Sequence, residues 1–273
     1  MRFERRIEKL RRLARWRFTH RGVPLWWHVG RPNFGDDINP NFFQAITGVS
    51  QRFAADRRKP HLLGAGSILE KASAMSVVCG SGFLSPPPHE AARPLEVVAV
   101  RGVRSLDALG ASESTFLGDP LVLVDGFVEP SAKLYRVGLV PHVRSVSRWR
   151  THNRQRHLLI DPGDDPWAVV TAIASCEAVI SQSLHGLIVA DALGVHNVWV
   201  APSGDMVGGR FKFDDYFSTI DAPKECVPET REIFDRPLTF EASIGIYRYC
   251  KQSYCRLIEA ACSRLTEPAS RAA

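Results

Sequence analysis

Val179-Ile180-Ser181-Gln182-Ser183-Leu184-His185-Gly186 decides how this chain is read. Two β-branched residues run through a short polar step into Leu184 and the apolar stretch beyond it, so a buried strand passes directly into an apolar helix. Ser183 is the natural N-cap, the helix is expected over Leu184 to Leu193, and Gly194 stands where a C-cap glycine belongs. His185 then falls in the first turn, beside backbone amides that have no intrahelical partner. A helix start of this kind is a ready anion site. A purely structural reading uses the same residues: Ser183 caps and His185 fills space.

The strand-then-helix rhythm repeats outward from this point. Further strands are expected at Leu25 to Val29, His61 to Leu63, Ser76 to Cys79, Glu96 to Val100 and Leu121 to Val124. In the second half they are expected at Arg136 to Val140, His157 to Ile160, Ala178 to Ile180 and Asn197 to Val200. A helix over Trp167 to Cys176 and a long final one over Ser243 to Leu265 complete an α/β pattern with parallel sheets. Pro130 to Lys133 is the best linker, which divides the chain into a basic amphipathic segment (1–22), a first domain (23–130), a second domain with the final helix (134–267) and a disordered tail (268–273). Open parallel sheets bind ligands at the carboxyl ends of their strands, so residues at strand ends carry the most weight.

Several such residues are polar. Asn33-Phe34-Gly35-Asp36-Asp37-Ile38-Asn39-Pro40 follows the first strand; Asp36 could accept a proton from a hydroxyl, and Asn39 could instead cap a helix begun by Pro40 and closed by Gly48. No second acidic or histidine cluster supports a metal site there. Gly64 and Gly66 in Gly64-Ala65-Gly66-Ser67 permit close approach of backbone to a phosphate, as a tight turn would also require. Arg101 and Arg104 stand at the end of a buried strand, where a planar guanidinium suits a carboxylate or phosphate. His142, after Pro141, ends another strand. Arg144, Arg148, Arg150, Arg154 and Arg156 resemble a nucleic-acid patch in composition alone, and a solvated loop or a contact to a diphosphate explains them as well.

The 273-residue chain has a formal net charge of +6. That excess resides in residues 1–22, where Arg2, Arg5, Arg6, Lys9, Arg11, Arg12, Arg15, Arg17 and Arg21 face only Glu4 and Glu8. A nucleic-acid enzyme carries its basic surface on the folded body, so no nucleic-acid partner is expected. Phe3, Ile7, Leu10 and Ala14 share one stripe, so a helix here could lie on an anionic membrane or stay solvated. No apolar run spans a bilayer and no secretory signal precedes the body, which points to the cytoplasm, at the inner face of the cell membrane if the segment binds. The six cysteines form no C-x-x-C pair and read as reduced, mostly buried thiols.

Taken in order, Asn33-Phe34-Gly35-Asp36, Gly64-Ala65-Gly66-Ser67, Gly80-Ser81-Gly82-Phe83, Val100-Arg101-Gly102, Leu117-Gly118-Asp119-Pro120, Gly138-Leu139-Val140-Pro141-His142, Ser183-Leu184-His185-Gly186 and Phe213-Asp214-Asp215-Tyr216 resemble the polysaccharide pyruvyl transferase family, especially ketal-pyruvate transferases of succinoglycan-type exopolysaccharide synthesis. The resemblance implies two Rossmann-like domains in a GT-B-like arrangement, phosphoenolpyruvate as donor, a glycan acceptor that is often lipid-linked, and no nucleotide cofactor. It maps a histidine onto His185 and a first-domain arginine onto Arg101. Some members carry an arginine two residues before the histidine; here that residue is Ser183, so Arg101, Arg104, His142 or Arg210 would have to complete the anion clamp. On this reading His185 and Asp36 are catalytic, and Asn33, Gly64, Gly66, Arg101, Arg104, His142, Ser183, Leu184, Gly186 and Arg210 bind substrate. A nucleotide-sugar glycosyltransferase of the same fold, or an inactive membrane-surface scaffold, is the alternative.

Overall fold

The computed structural model describes residues 11, 14, 22–87, 93–204 and 206–266. The expected basic segment and the tail after Pro268 lie outside the described residues, apart from residues 11, 14 and 22. Among the described residues eleven strands form two all-parallel sheets. The first holds β1 (Val23–Trp26), β2 (Gln51–Phe53), β3 (His61–Leu63), β4 (Ser76–Cys79), β5 (Glu96–Val100) and β6 (Phe116–Leu117), in the order β2-β1-β3-β4-β5-β6. The second holds β7 (Tyr135–Val140), β8 (Leu158–Leu159), β9 (Cys176–Ser181), β10 (His196–Val200) and β11 (Cys226–Val227), in the order β11-β10-β9-β7-β8. β3 and β4 are buried throughout rather than alternating, as strands covered on both faces must be.

Both sheets share one topological property. Strand order reverses between β1 and β3 in the first and between β7 and β9 in the second, and the crevice outside such a reversal is where ligands of open parallel sheets bind. The helices are α1 (Phe34–Asp37), α2 (Asn39–Thr47), α3 (Val103–Leu109), α4 (Val146–His152), α5 (Pro166–Ala174), α6 (Leu184–Ala192), α7 (Phe211–Phe217), α8 (Glu232–Asp235) and α9 (Lys251–Thr266). The α6 residues Leu184 to Asp191 are all buried, so this helix is enclosed on every side. It packs against the 3-10 helix Pro120–Phe127, and Gly194 follows it with φ +65°.

The structure departs from expectation at several elements, and the helix expected over Trp167 to Cys176 ends at Ala174 because Cys176 opens β9. Leu121 to Val124 is no strand but part of that 3-10 helix: Pro120 fixes φ for a helical start, and Asp119 Oδ1 accepts from the Leu121 amide at 3.0 Å. The arginine-rich stretch read as a loop contains α4, which buries Trp149 beneath its charged face. The strand placed at Leu25 to Val29 ends at Trp26. The final helix starts at Lys251, because Ser243 and Tyr247 instead form antiparallel bridges to Asn197 and Ile220.

Though grouped with the second half on sequence, α9 lies against the first sheet. Tyr254 stacks on Phe116 with ring centroids 4.9 Å apart and donates to the Gly118 carbonyl at 2.6 Å, while Arg264 pairs with Glu96. All six cysteines are free thiols, of which Cys79, Cys176 and Cys262 are buried and Cys250 is exposed. No helix among the described residues is long and apolar enough to cross a membrane.

Candidate functional site

The two reversal points open onto one cleft of about 790 Å³. Trp26, His28, Asn33 and Asp36 reach it from the end of β1 and the turn that follows, and Ser67 from the end of β3. Across from them, His142 and Arg144 follow β7, Ser183, Leu184 and His185 follow β9, and Lys212 projects from α7. Arg31, Lys71 and Glu70 add charge to the wall.

The turn carrying Asp36 is built by a residue the sequence assigned to capping. Asn39 makes no capping bond. Its buried amide donates to the carbonyls of Asp36 at 2.9 Å and Ala65 at 3.2 Å and accepts from the Ala65 amide at 2.7 Å, which ties the β1 turn to the β3 turn. Gly64 leaves room for this junction, since a Cβ there would fall 2.1 Å from Asn39 Oδ1. Gly66 has φ +115° and faces Asp36. Asn33 Nδ2 donates to Asp36 Oδ2 at 2.9 Å. Burial raises the Asp36 pKa against the lowering pull of His28 and Asn33, which makes the half-buried carboxylate a stronger base than a solvated one.

Opposite, the β9-to-α6 step is pinned at each residue. Ser181 Oγ donates to the Ser183 carbonyl at 2.9 Å and accepts from the Ser183 amide at 3.1 Å. Ser183 Oγ caps the Gly186 amide at 3.4 Å. Gln182 donates to Glu229 at 2.7 Å, a carboxylate that also grips Arg148 and Trp149. Gly186 does not line the cleft: it lets α6 close on Ser181 and Val140.

The His185 ring sits edge-on to Phe34, with Nδ1 against Gly35, where a Cβ would fall 1.8 Å away. Its pKa is lowered to about 3, first by burial and then by Lys212 and Arg101, so the imidazole is neutral. Its Nε2 lies 3.8 Å from Asp119 Oδ2, and among the described residues neither atom has a hydrogen-bond partner. Asp119 is fully buried, and burial raises its pKa to about 6 against the opposing Leu121 amide, Arg101 and the Gly66 amide. Because burial disfavours charge on both groups, this approach is no ordinary ion pair.

Three arginines expected at the site are elsewhere. Arg101 is fully buried and does not reach the cleft: Nε donates to Asp215 Oδ2 at 2.9 Å and Nη1 to Ser67 Oγ at 2.8 Å, while Nη2 takes the Phe83 carbonyl. It stands behind the wall, one serine away. Arg104 lies over Phe211 and pairs with Asp214 at 3.1 Å, and Arg210 lies over Trp199. Both are about half exposed and away from the cleft. A helix start at residue 103 or 211 turns these side chains outward, which strand-end reasoning cannot foresee.

Among the cleft cations not expected from the sequence, Lys212 is the one whose charge acts on both His185 and Asp36. Burial, then Arg101, lowers the lysine's pKa to about 8, and Asp36 partly offsets this. Lys212 lies one residue before the Phe213-Asp214-Asp215-Tyr216 motif, and that proximity was the available signal. Asp119 shows in the sequence only as a member of the Leu117-Gly118-Asp119-Pro120 motif. Among the described residues no group of three or more histidine, cysteine or acidic side chains could hold a metal ion.

Comparison with known proteins bears on the same segments. Over 209 residues the chain is 28% identical to the succinoglycan biosynthesis protein ExoV of Rhizobium meliloti (strain 1021), covering 72% of this chain and 64% of that protein, less than two thirds of its length. It is 30% identical over 217 residues to the uncharacterized protein L143 of Acanthamoeba polyphaga mimivirus, covering 73% of this chain and 75% of the viral one. Residues 52–204, which carry both the Gly64 turn and the His185 helix start, match the profile of polysaccharide pyruvyl transferases, and the chain belongs to that family.

Proposed function

We propose that this chain transfers a pyruvyl group from phosphoenolpyruvate to two hydroxyls of a sugar in an exopolysaccharide repeat, forming a ketal and releasing phosphate. The observation that carries this reading is the convergence of His185, Lys212 and Asp36 on one cleft at both reversal points. A donor with a phosphate and a carboxylate needs an anion site, an acid for its methylene carbon and a base for the attacking hydroxyl. The start of α6 with Lys212 supplies the first, His185 the second and Asp36 the third. Lys212 thereby stands in for the arginine missing at Ser183, and Arg101 acts through Ser67 as a positioning residue.

Atoms balance in this scheme. A proton adds to the methylene carbon as one hydroxyl attacks its neighbour; phosphate departs with the C–O electron pair; the second hydroxyl closes the ring. Two hydroxyl protons leave: one goes with phosphate and one restores the acid. The sheets (23–130 and from 134 onward) are read as the two lobes of a GT-B-like arrangement, supported by the shared cleft and by α9 crossing back to the first sheet. The acceptor is read as lipid-linked, met at the membrane's inner face through the basic N-terminal segment.

The test is phosphate release by the full chain from phosphoenolpyruvate with lipid-linked oligosaccharides, with mass spectrometry of the glycan. Release coupled to gain of a pyruvyl group is expected. Turnover of a nucleotide sugar instead would overturn the reading.

A further inference from the structure

A neutral, deeply buried histidine makes a poor general acid, because its charged form is the one burial penalises. The arrangement behind it removes the difficulty. His185 at the start of α6 meets Asp119 at the start of the 3-10 helix because these two elements pack side by side. Asp119 uses Oδ1 to cap the Leu121 amide, and its second oxygen is turned to Nε2. Two buried polar atoms without partners, 3.8 Å apart, are an unusual pairing to leave unmade. Catalytic hydrogen bonds of this length tighten when substrate is bound.

We propose that Asp119 is a positioning residue that relays a proton through His185, so that the imidazole delivers a proton from Nδ1 without becoming an imidazolium. With Asp119 protonated, its O–H donates to Nε2 and Nδ1 carries the hydrogen. As the alkene π pair of the donor takes the Nδ1 proton to form the new C–H bond, the Asp119 O–H bond breaks and an Nε2–H bond forms. Asp119 ends as carboxylate and His185 as the opposite neutral tautomer. The hydroxyl proton not carried off by phosphate returns to Nδ1, and the Nε2 proton passes back to Asp119.

The charged groups acting on the pair are Arg101 at the end of β5 and Lys212 and Asp215 on α7, with Asp36 on the β1 turn acting in turn on Lys212. Tyr216, Tyr247 and Tyr254 lie within the field of Asp119 with their hydroxyls donated to Asp191 and to the Leu117 and Gly118 carbonyls, and burial keeps them protonated. Tyr254 on α9 and Tyr247 just before it anchor the Gly118 and Leu117 carbonyls that precede Asp119, so α9 and the segment leading into it fix the turn that aims the carboxyl. An arriving phosphate would raise the Asp119 pKa further and load the relay.

This inference rests on the proposed reaction for the step it serves, but the proton positions are testable without it. Nitrogen NMR of histidine-labelled wild-type protein, with His185 assigned from His185→Gln, should show the Nδ1–H tautomer below about pH 6 and the Nε2–H tautomer above it. Asp119→Asn, which keeps the cap and donates its amide to Nε2, should hold the Nδ1–H form at every pH. With phosphoenolpyruvate and acceptor, that variant should keep its KM within about threefold while kcat falls roughly 10²-fold and loses its decline at alkaline pH. One His185 tautomer throughout pH 5–8 in the wild type overturns the relay, as does near-normal kcat in Asp119→Asn. Absent turnover with an intact tautomer switch would instead indict the assigned reaction.

Discussion

Arg101 and Asp215, 114 residues apart, form a fully buried ion pair that joins the end of β5 to α7, with Nε 2.9 Å from Oδ2. Asp215 also takes the Ser105 amide and hydroxyl, so the pair locks the first sheet's α3 to the second half of the chain. The arginine that strand-end reasoning assigned to the donor is thus engaged in holding the cleft walls together. Asp215→Asn should cost about 3–5 kcal/mol, the usual penalty for leaving a buried charge unpaired. Urea unfolding of the variant checks this; a loss below 1 kcal/mol would mean that the guanidinium finds water or another partner.

Lys212→Met should raise the KM for phosphoenolpyruvate at least tenfold while leaving the fold intact. The free lysine loses its proton near pH 8, so donor affinity should fall as pH rises through that value. Lys212→Arg, always charged, should bind with a flat profile between pH 7 and 9.5. Calorimetric titration with phosphoenolpyruvate measures both, and parallel wild-type and arginine profiles would remove Lys212 from the donor site.

Stability offers a separate reading of Asp119. Its folded pKa of about 6 lies above the unfolded value, so the folded state binds the proton more tightly and stability is lost as pH rises from about 4 to 6. A shift of that size amounts to at most about 3 kcal/mol at neutral pH. Asp119→Asn should therefore be more stable than wild type at pH 7.5, with the advantage gone near pH 4. A carboxylate kept for structure alone would give the opposite sign in thermal melts.

How much of this was legible before folding depends on the range of the signal. The β9-to-α6 step, with Ser183 as cap and Gly194 as stop, follows from local chemistry and appears as expected. β3, β4 and β5 match their apolar runs residue for residue. The short run Leu121 to Val124 fits a buried strand and a buried helical turn equally well, and only its partner α6 decides between them. β2, β6 and β11 have two or three residues each, and only their parallel pairing with β1, β5 and β10 marks them as strands. The surroundings of Arg101, Lys212 and Asp119 were not legible for one reason: they are set by groups more than 60 residues away in sequence, Asp215, Asp36 and His185.

The sharpest case is His185→Gln, because two independent quantities should move in opposite directions. Losing the group that delivers the proton should lower turnover by roughly 10²- to 10⁴-fold. Stability follows the other sign. The folded imidazole has its pKa lowered from 6.5 to about 3, so wild-type protein keeps its full stability above pH 6.5 and loses it as pH falls toward 3. At pH 5 that amounts to about 2 kcal/mol. Glutamine has no proton to gain, so the variant should lose less stability than wild type between pH 7 and pH 5. Chemical denaturation at the two pH values, beside phosphate release at pH 7, tests both. A structural histidine would show reduced stability at both pH values with turnover nearly intact, whereas a catalytic one buried at a helix start shows an inactive protein that tolerates acid better than its parent.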